Sequence, residues 1–198
     1  MNSSGIIEID TEAELRAIIQ KLNRLPDQIA APNILKNAIN ATARKVKNQI
    51  TKDAKARYAV KDKAIFRKED QGAPKVRTAS PATMTATISS KGPMQDIMAF
   101  MTRPNTGTGA AAARVLNSGA MKPLEMGGLK AFVTSFASGH TAIVQRRGGA
   151  RLPVKKLLSP AVPMMLGNEE IREKAETLTR EILQVEIGKR IEKVLAGA

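Results

Sequence analysis

The chain has 198 residues, 42% of them hydrophobic and 3% aromatic, with no Trp, no Cys and a single His. That content suffices for a core of Ile, Leu, Val, Ala and Met, but burial per residue is modest and self-association would supplement it. The lack of cysteine excludes disulfides, thiolate nucleophiles and zinc-cysteine sites and fits a reducing compartment, and one histidine excludes a multi-histidine metal site within one chain.

The net charge of +14 is unevenly placed. Residues 1–27 carry three basic and five acidic side chains, residues 168–198 six and seven, and residues 28–167 carry 23 basic against 6 acidic, or +17. A segment so charged is expected to meet nucleic acid, anionic lipid or an acidic protein surface. The opening "MNSSGIIEIDTEAEL" has no basic stretch leading into an apolar one. No uncharged run approaches the roughly 20 apolar residues of a spanning helix, so a soluble chain without a signal peptide is expected.

In chain order, Thr11 and Glu14 form a capping box that predicts a helix over about 11–24, closed off by Pro26 and Pro32. From Asn33, Leu35, Ile39, Thr42, Val46 and Ile50 recur at steps of three or four and predict one long helix. Its other sides present Lys36, Arg44, Lys45, Lys47, Lys52, Lys55 and Arg57. A break is expected near Val60, then a short second helix, then a turn in "QGAPKV".

In "ATMTATISS" Met84, Ala86 and Ile88 alternate with Thr83, Thr85 and Thr87, the period of a half-buried strand. "PMQDIMAFM" predicts a helical turn. Residues 103–128, rich in Gly, Asn, Thr and Ala, predict a long flexible loop with a short strand at Ala113–Leu116. "LKAFVTSF" and "HTAIVQRR" predict two strands joined by a turn at Ala137–Gly139. Beyond Pro153, Pro160 and Pro163 argue against regular structure. Asn168 is expected to cap a last helix, buried along Ile171, Ala175, Leu178, Ile182 and Val185 and continued by Ile191, Val194 and Leu195.

Little in the sequence suggests catalysis. His140 has no nearby carboxylate in sequence between Glu125 and Glu169 and reads as a turn residue at a strand start. Asp53, Asp62, Glu69, Asp70, Asp96 and Glu125 are the only carboxylates of the middle segment that could serve a magnesium-dependent nuclease. The spaced carboxylates and lysine of "EDQGAPK" lack the preceding strand that such a site needs. Glu169, Glu170, Glu173 and Glu176 complement the dipole of the last helix. "NTGTGAAAAR" lacks the G-K-[ST] ending of a phosphate loop. Tyr58, Phe66, Phe100, Phe132 and Phe136 stand in apolar contexts that read as core rather than as a base-stacking platform. No cofactor or metal is expected.

"SGHTAIVQRRGGARLPVKKLLSPAVPMM" resembles the C-terminal block of the minor tail protein Z family of tailed bacteriophages. That block has a Phe-containing strand, a Gly-His turn, a strand ending in Arg, a basic Gly turn, Arg-Leu-Pro, a Ser-Pro segment and a terminal helix. Here these are Phe132 or Phe136, Gly139-His140, Ala142–Arg146, Gly148-Gly149, Arg151-Leu152-Pro153, Ser159-Pro160 with Val162-Pro163, and the helix from Asn168. "LKNAINATARKVKNQITKDAKARYAVKDKAIF" is similar to the family's "Ala-Ile-Asn-x-Thr-Ala-Arg" helix and the segment after it. The resemblance spans roughly residues 33–185; residues 103–128 do not follow the family pattern.

The resemblance implies a structural virion protein, a tail-completion subunit at the head-proximal end of the tail that helps join tail to head and form the DNA channel. It implies a homo-oligomer, expected as a hexameric ring, assembled in the host cytoplasm. Partners would be tail terminator, tail tube or neck and connector proteins, with nonspecific contact to genomic DNA and no membrane or small-molecule substrate. The alternative reading is a nonspecific DNA-binding module or phage accessory nuclease.

The expected architecture is α+β in a single domain: a long N-terminal helix, a small antiparallel β-sheet with a long flexible loop, and a C-terminal helix packed on the sheet. It divides into an N-terminal helical arm (1–32), a basic helical part (33–77), a β-rich part (78–156) and a Pro-rich connector with the C-terminal helix (157–198). The candidate interaction residues are Lys36, Arg44, Lys45, Lys47, Lys52, Lys55 and Arg57 on the helix and Arg146, Arg147 and Arg151 at a hairpin tip.

Overall fold

The computed structural model describes residues 2–7, 31–104 and 110–196. The helix expected over 11–24 and the centre of the expected loop, 105–109, lie outside the described residues. In chain order the elements are strand β1 (Asn2–Ile7), helix α1 (Ala31–Arg57), 3-10 turns at Lys63–Arg67 and Glu69–Gln71, β2 (Lys75–Arg77), β3 (Thr87–Pro93), β4 (Gln95–Asp96), a 3-10 turn at Ile97–Ala99 and β5 (Met101–Arg103). There follow β6 (Ala112–Arg114), β7 (Lys122–Pro123), β8 (Glu125–Met126), β9 (Leu129–Lys130), β10 (Phe132–Ser135), β11 (Thr141–Arg146), β12 (Val154–Lys156), β13 (Leu158–Ser159), α2 (Val162–Leu166) and α3 (Glu169–Ala196). Two long helices and small antiparallel sheets make the chain α+β, as expected.

Among the described residues, 31–52, 74–90 and 166–196 form one compact unit, and 53–73 with 91–165 form another. The segment boundaries read from sequence do not coincide with these units, because each unit gathers stretches far apart in the chain.

In the first unit, Leu35, Ile39, Thr42, Val46 and Ile50 of α1 are all buried, as their spacing predicts. Leu35, Ala38 and Ile39 pack with Ala79 and with Leu183 and Ile187 of α3, bordered by Met84, Ala86 and Ile191. Asn40 fastens the following segment to the helix: its Nδ2 donates to the Ala79 carbonyl at 3.2 Å and its Oδ1 accepts from the Ala79 N–H at 2.7 Å.

The strand expected over 82–90 begins only at Thr87. Ser80 and Thr83 exchange backbone-to-hydroxyl bonds at 3.2 Å, and Met84 takes a left-handed φ of 46°, so local turn chemistry overrides the alternating pattern. β3 then pairs antiparallel with β2, Val76 facing Ile88, and stands between β1 and β2.

The buried face of α3 also departs from the expected one. It runs through Ile171, Ala175, Thr179, Leu183, Glu186 and Ile187, while Val185 is 52% exposed. The true helical period carries the stripe onto two polar residues that an apolar count passes over. Asn168 precedes the helix, and its carbonyl accepts from the Arg172 N–H at 2.9 Å, but its Oδ1 makes no hydrogen bond, so the expected side-chain cap is not formed.

In the second unit, α1 ends in groups brought from elsewhere. Lys63 Nζ donates to the carbonyls of Lys55 (2.6 Å) and Tyr58 (2.7 Å). Asn117 gives its Nδ2 to Ala56 O at 2.6 Å and its backbone N–H to Arg57 O at 2.8 Å. β10, β11 and β12 form an antiparallel meander, with Val133 opposite Ile143 and Arg146 opposite Val154. Val133 and Ile143 pack with Ile97, Ala111, Ala113 and Ala131.

The loop expected over 103–128 is largely ordered as short strands: β6 lies between β5 and β7, and β8 pairs with β9. Small side chains there, Ala111 and Ala113 among them, fill the core instead of marking a linker. The stretch after Pro153, expected to be irregular, holds β12, β13 and α2. Pro163 occupies the first turn of α2, where no backbone donor is required.

Gly92 lies against the 71–72 backbone. A Cβ there would overlap the Gln71 carbonyl and stand 2.9 Å from the Gly72 Cα, whereas one at Gly148 meets nothing within 4 Å. Gly92→Ala is expected to lower unfolding free energy by about 2–4 kcal/mol. Gly148→Ala should stay within about 0.5 kcal/mol of the parent; urea denaturation of both measures the difference.

Candidate functional site

The two basic surfaces read from sequence are distinct in construction. On α1, burial of Leu35, Ala38, Ile39, Val46 and Ile50 turns Arg44, Lys45 and Lys52 outward as exposed residues, with Lys36, Lys47, Lys55 and Arg57 half-buried at the flanks and end. Lys36 Nζ bonds Asn33 Oδ1 at 3.3 Å. Arg57 has its Nε fully buried at the helix end, which marks it as a packing residue in part.

Lys45 is engaged within the chain. Its Nζ meets Glu186 Oε1 at 2.6 Å, and Glu186 also accepts from the Arg190 guanidinium one turn on in α3. Glu186 has 8% of its side-chain surface exposed, yet it stays ionised: the Lys45 hydrogen bond first, then that of Arg190, holds its carboxyl at about 2 against an ordinary value of 4.5. Lys63, which closes the end of α1, is held below the ordinary lysine value by burial first and by the Lys55 charge second.

The second surface is the tip of the β11–β12 hairpin. Arg146 ends β11 with its guanidinium carbon 5.7 Å from the centre of the Phe132 ring, a cation-π contact that sets the side chain's direction. The Arg147 N–H donates to the Pro153 carbonyl at 3.1 Å and closes the loop base. Between them Gly148, Gly149, Ala150, Arg151 and Leu152 are all exposed, Leu152 to 68%. Arg146, Arg147 and Arg151 are exposed, and no carboxylate among the described residues pairs with them.

The β8–β9 hairpin is tied to β11 from its buried face. The Gln145 amide donates to Leu129 O at 2.6 Å and reaches Met126 O at 3.4 Å, and Met126 is 59% exposed.

At the other end of β11, His140 is exposed in the turn and stacks on Phe136, ring centres 6.5 Å apart. Phe136 is 41% exposed and Phe132 half-buried, so these two are not the core residues expected; Tyr58, Phe66 and Phe100 are. Lys156 Nζ lies 3.2 Å from His140 Nε2 and 2.7 Å from Asp96 Oδ2. The carboxylate missing from the local sequence is therefore supplied by Asp96, acting on the lysine rather than on the histidine.

Of the other middle-segment carboxylates, Asp62 caps the 3-10 turn through Ala64 N at 2.8 Å and pairs with Lys68 at 3.3 Å. The backbone bond first and the lysine second draw its carboxyl below the ordinary range. Asp96 caps Met98 at 2.9 Å. Among the described residues no three His, Asp or Glu side chains gather as a metal-binding group, and no helix is long and apolar enough to cross a membrane.

Sequence reasoning located the arginines and lysines by charge alone. It missed Glu186, Gln145 and Asn117, whose partners are distant in sequence and leave no local signal. A scan against protein-family models and searches of curated proteins and solved structures gave no match to the chain.

Glu186→Gln removes one acceptor charge from between two cations and is expected to lower stability at pH 7 by about 1–3 kcal/mol. Because the folded carboxyl titrates at about 2 and the ordinary value is 4.5, this contribution is complete above about pH 4.5 and disappears as pH falls toward 2. Urea titrations of both proteins across pH 2–7 check that their difference narrows on the acid side.

Proposed function

We propose that this protein is a structural virion component of a tailed phage, a tail-completion subunit at the head-proximal end of the tail that helps join tail to head and line the DNA path. One observation carries the reading. The blocks through which the sequence resembles the minor tail protein Z family fold consecutively here: strand β10, the Gly139-His140 turn, strand β11 ending at Arg146, the arginine-glycine tip, β12, and the terminal helix α3. That run supplies an antiparallel frame with a cationic edge that no carboxylate among the described residues pairs with, which suits a subunit placed between protein neighbours and a polyanion.

In this reading the subunit works as a homo-oligomer, a hexameric ring, and meets tail terminator, tail tube or neck and connector proteins. Arg44, Lys47 and Lys52 on α1 form one contact surface and the hairpin tip another, while Lys45 supports α1 through Glu186. The site of action is the virion, after assembly in the host cytoplasm. The same unpaired cations favour a second reading, a nonspecific DNA-binding module acting outside the particle.

Disruption of the gene in the producing phage is expected to leave full heads and tails that fail to join, with joining restored by the protein supplied in trans. Electron microscopy of the lysate and antibody labelling of purified tails read this out. Absence of the protein from purified particles, with head-tail joining unaffected, refutes the proposal in favour of the second reading.

A further inference from the structure

We infer that the hairpin tip Arg146–Leu152 forms a sequence-independent docking site for duplex DNA. The inference rests on the reading above and deepens it by naming the surface and the polyanion.

Three arginines sit on a loop whose base is closed by the Arg147–Pro153 bond. Their Cα atoms therefore fall within about 12 Å. Over that length a duplex presents roughly seven phosphates. Guanidinium forks match phosphate oxygens in a way that point-charge lysines do not. Arg146 is held by the Phe132 ring, which lowers the entropy lost on contact. Gly148 and Gly149 have nothing within 4 Å of a Cβ position, so the backbone itself can approach a sugar-phosphate surface.

Competition from within the chain is weak: the three arginines meet no described carboxylate. Leu152 is exposed to 68%. One isolated apolar side chain is too little to hold a lipid surface, which takes a continuous apolar face. A tip of this kind fits the edge of a groove, where aliphatic side chains touch sugars. No exposed aromatic stands at this end, so the tip carries no platform for stacking unpaired bases, which favours a duplex over a single strand.

The test is fluorescence anisotropy of a labelled 30-base-pair duplex against the full chain from about 50 to 300 mM salt. The triple variant Arg146→Gln, Arg147→Gln, Arg151→Gln is expected to bind on the order of 10²-fold more weakly at about 100 mM salt. Its plot of log K against log salt should be shallower by about 2–3. The matching Arg→Lys triple keeps most of the slope, and Leu152→Ser weakens binding about 3–10-fold with the slope unchanged. Circular dichroism shows each variant folded.

The inference is overturned if the wild-type chain leaves the duplex unbound at about 50 mM salt or if the glutamine triple keeps the parent slope. It is likewise overturned if poly-glutamate or anionic vesicles bind at the tip more tightly than the duplex. Particle labelling is read separately: a tail-borne protein whose glutamine triple still holds DNA refutes this inference alone, and a duplex-binding chain missing from tails refutes the functional reading alone.

Discussion

The end of α1 is the constraint on which the second unit depends. A 27-residue helix leaves carbonyls without partners at its last turn, and here Lys55, Ala56, Arg57 and Tyr58 are satisfied by the ammonium of Lys63 and by the side chain and backbone of Asn117. Those bonds do more than stop the helix. They bring residues 58–61 into an extended strip between two other segments, where Ala59 bonds Val115 and Met101, and Lys61 bonds Ala99. Tyr58 thus bridges to Leu116 and Val60 to Phe100, and the small strands that follow are hung from a strip already fixed in place. With Lys55 and Arg57 in the last turn, the helix dipole meets the cations it favours.

A chain with 18 acidic side chains against 32 basic ones must spend its carboxylates carefully, and their placement explains which cations remain available. Glu186 joins α3 to α1 through Lys45; Asp96 caps a turn and holds Lys156; Asp62 caps another and holds Lys68. Each works inside the fold. The surplus positive charge is left on the outer face of α1 and on the arginine hairpin, so those surfaces are cationic by exclusion as well as by composition. Charge that no internal partner neutralises raises the energy of the isolated chain and is lowered by an external polyanion.

Helix α1 was legible because one apolar period continues without interruption from Leu35 to Ile50. The first two strands of the meander were legible because they are bounded by Gly139 and by Gly148-Gly149; its third, β12, was not, since it is three residues long and follows Pro153. α3 was legible as a helix but not in its facing, since apolar residues occupy two adjacent rows and the buried row includes Thr179 and Glu186. Thr179 is satisfied by Ala175 O one turn back, and Glu186 by Lys45, 141 positions away, a distance at which sequence periodicity is silent. Of the strands between 101 and 126 only β6 was expected, at Ala113–Leu116 and one residue late; the others escaped because two or three residues are too few to show a period, and because Ala and Gly, which suggest a loop, here allow close packing. The arginine tip could be found by counting charges; the attachment of the β8–β9 hairpin through Gln145 could not.

Gln145 attaches the β8–β9 hairpin by hydrogen bonds to its carbonyls. A hydrogen bond made to main chain imposes no requirement on which residues the hairpin carries. Asparagine would be too short to reach and glutamate has no hydrogen to give, so the socket is demanding of one residue while the plug is free to change. Gly127 and Gly128, both left-handed and with open space around them, serve only to turn the chain. The tip can therefore diverge between related proteins, exchanging Met126 for whatever a new neighbour requires, while the scaffold beneath it stays the same.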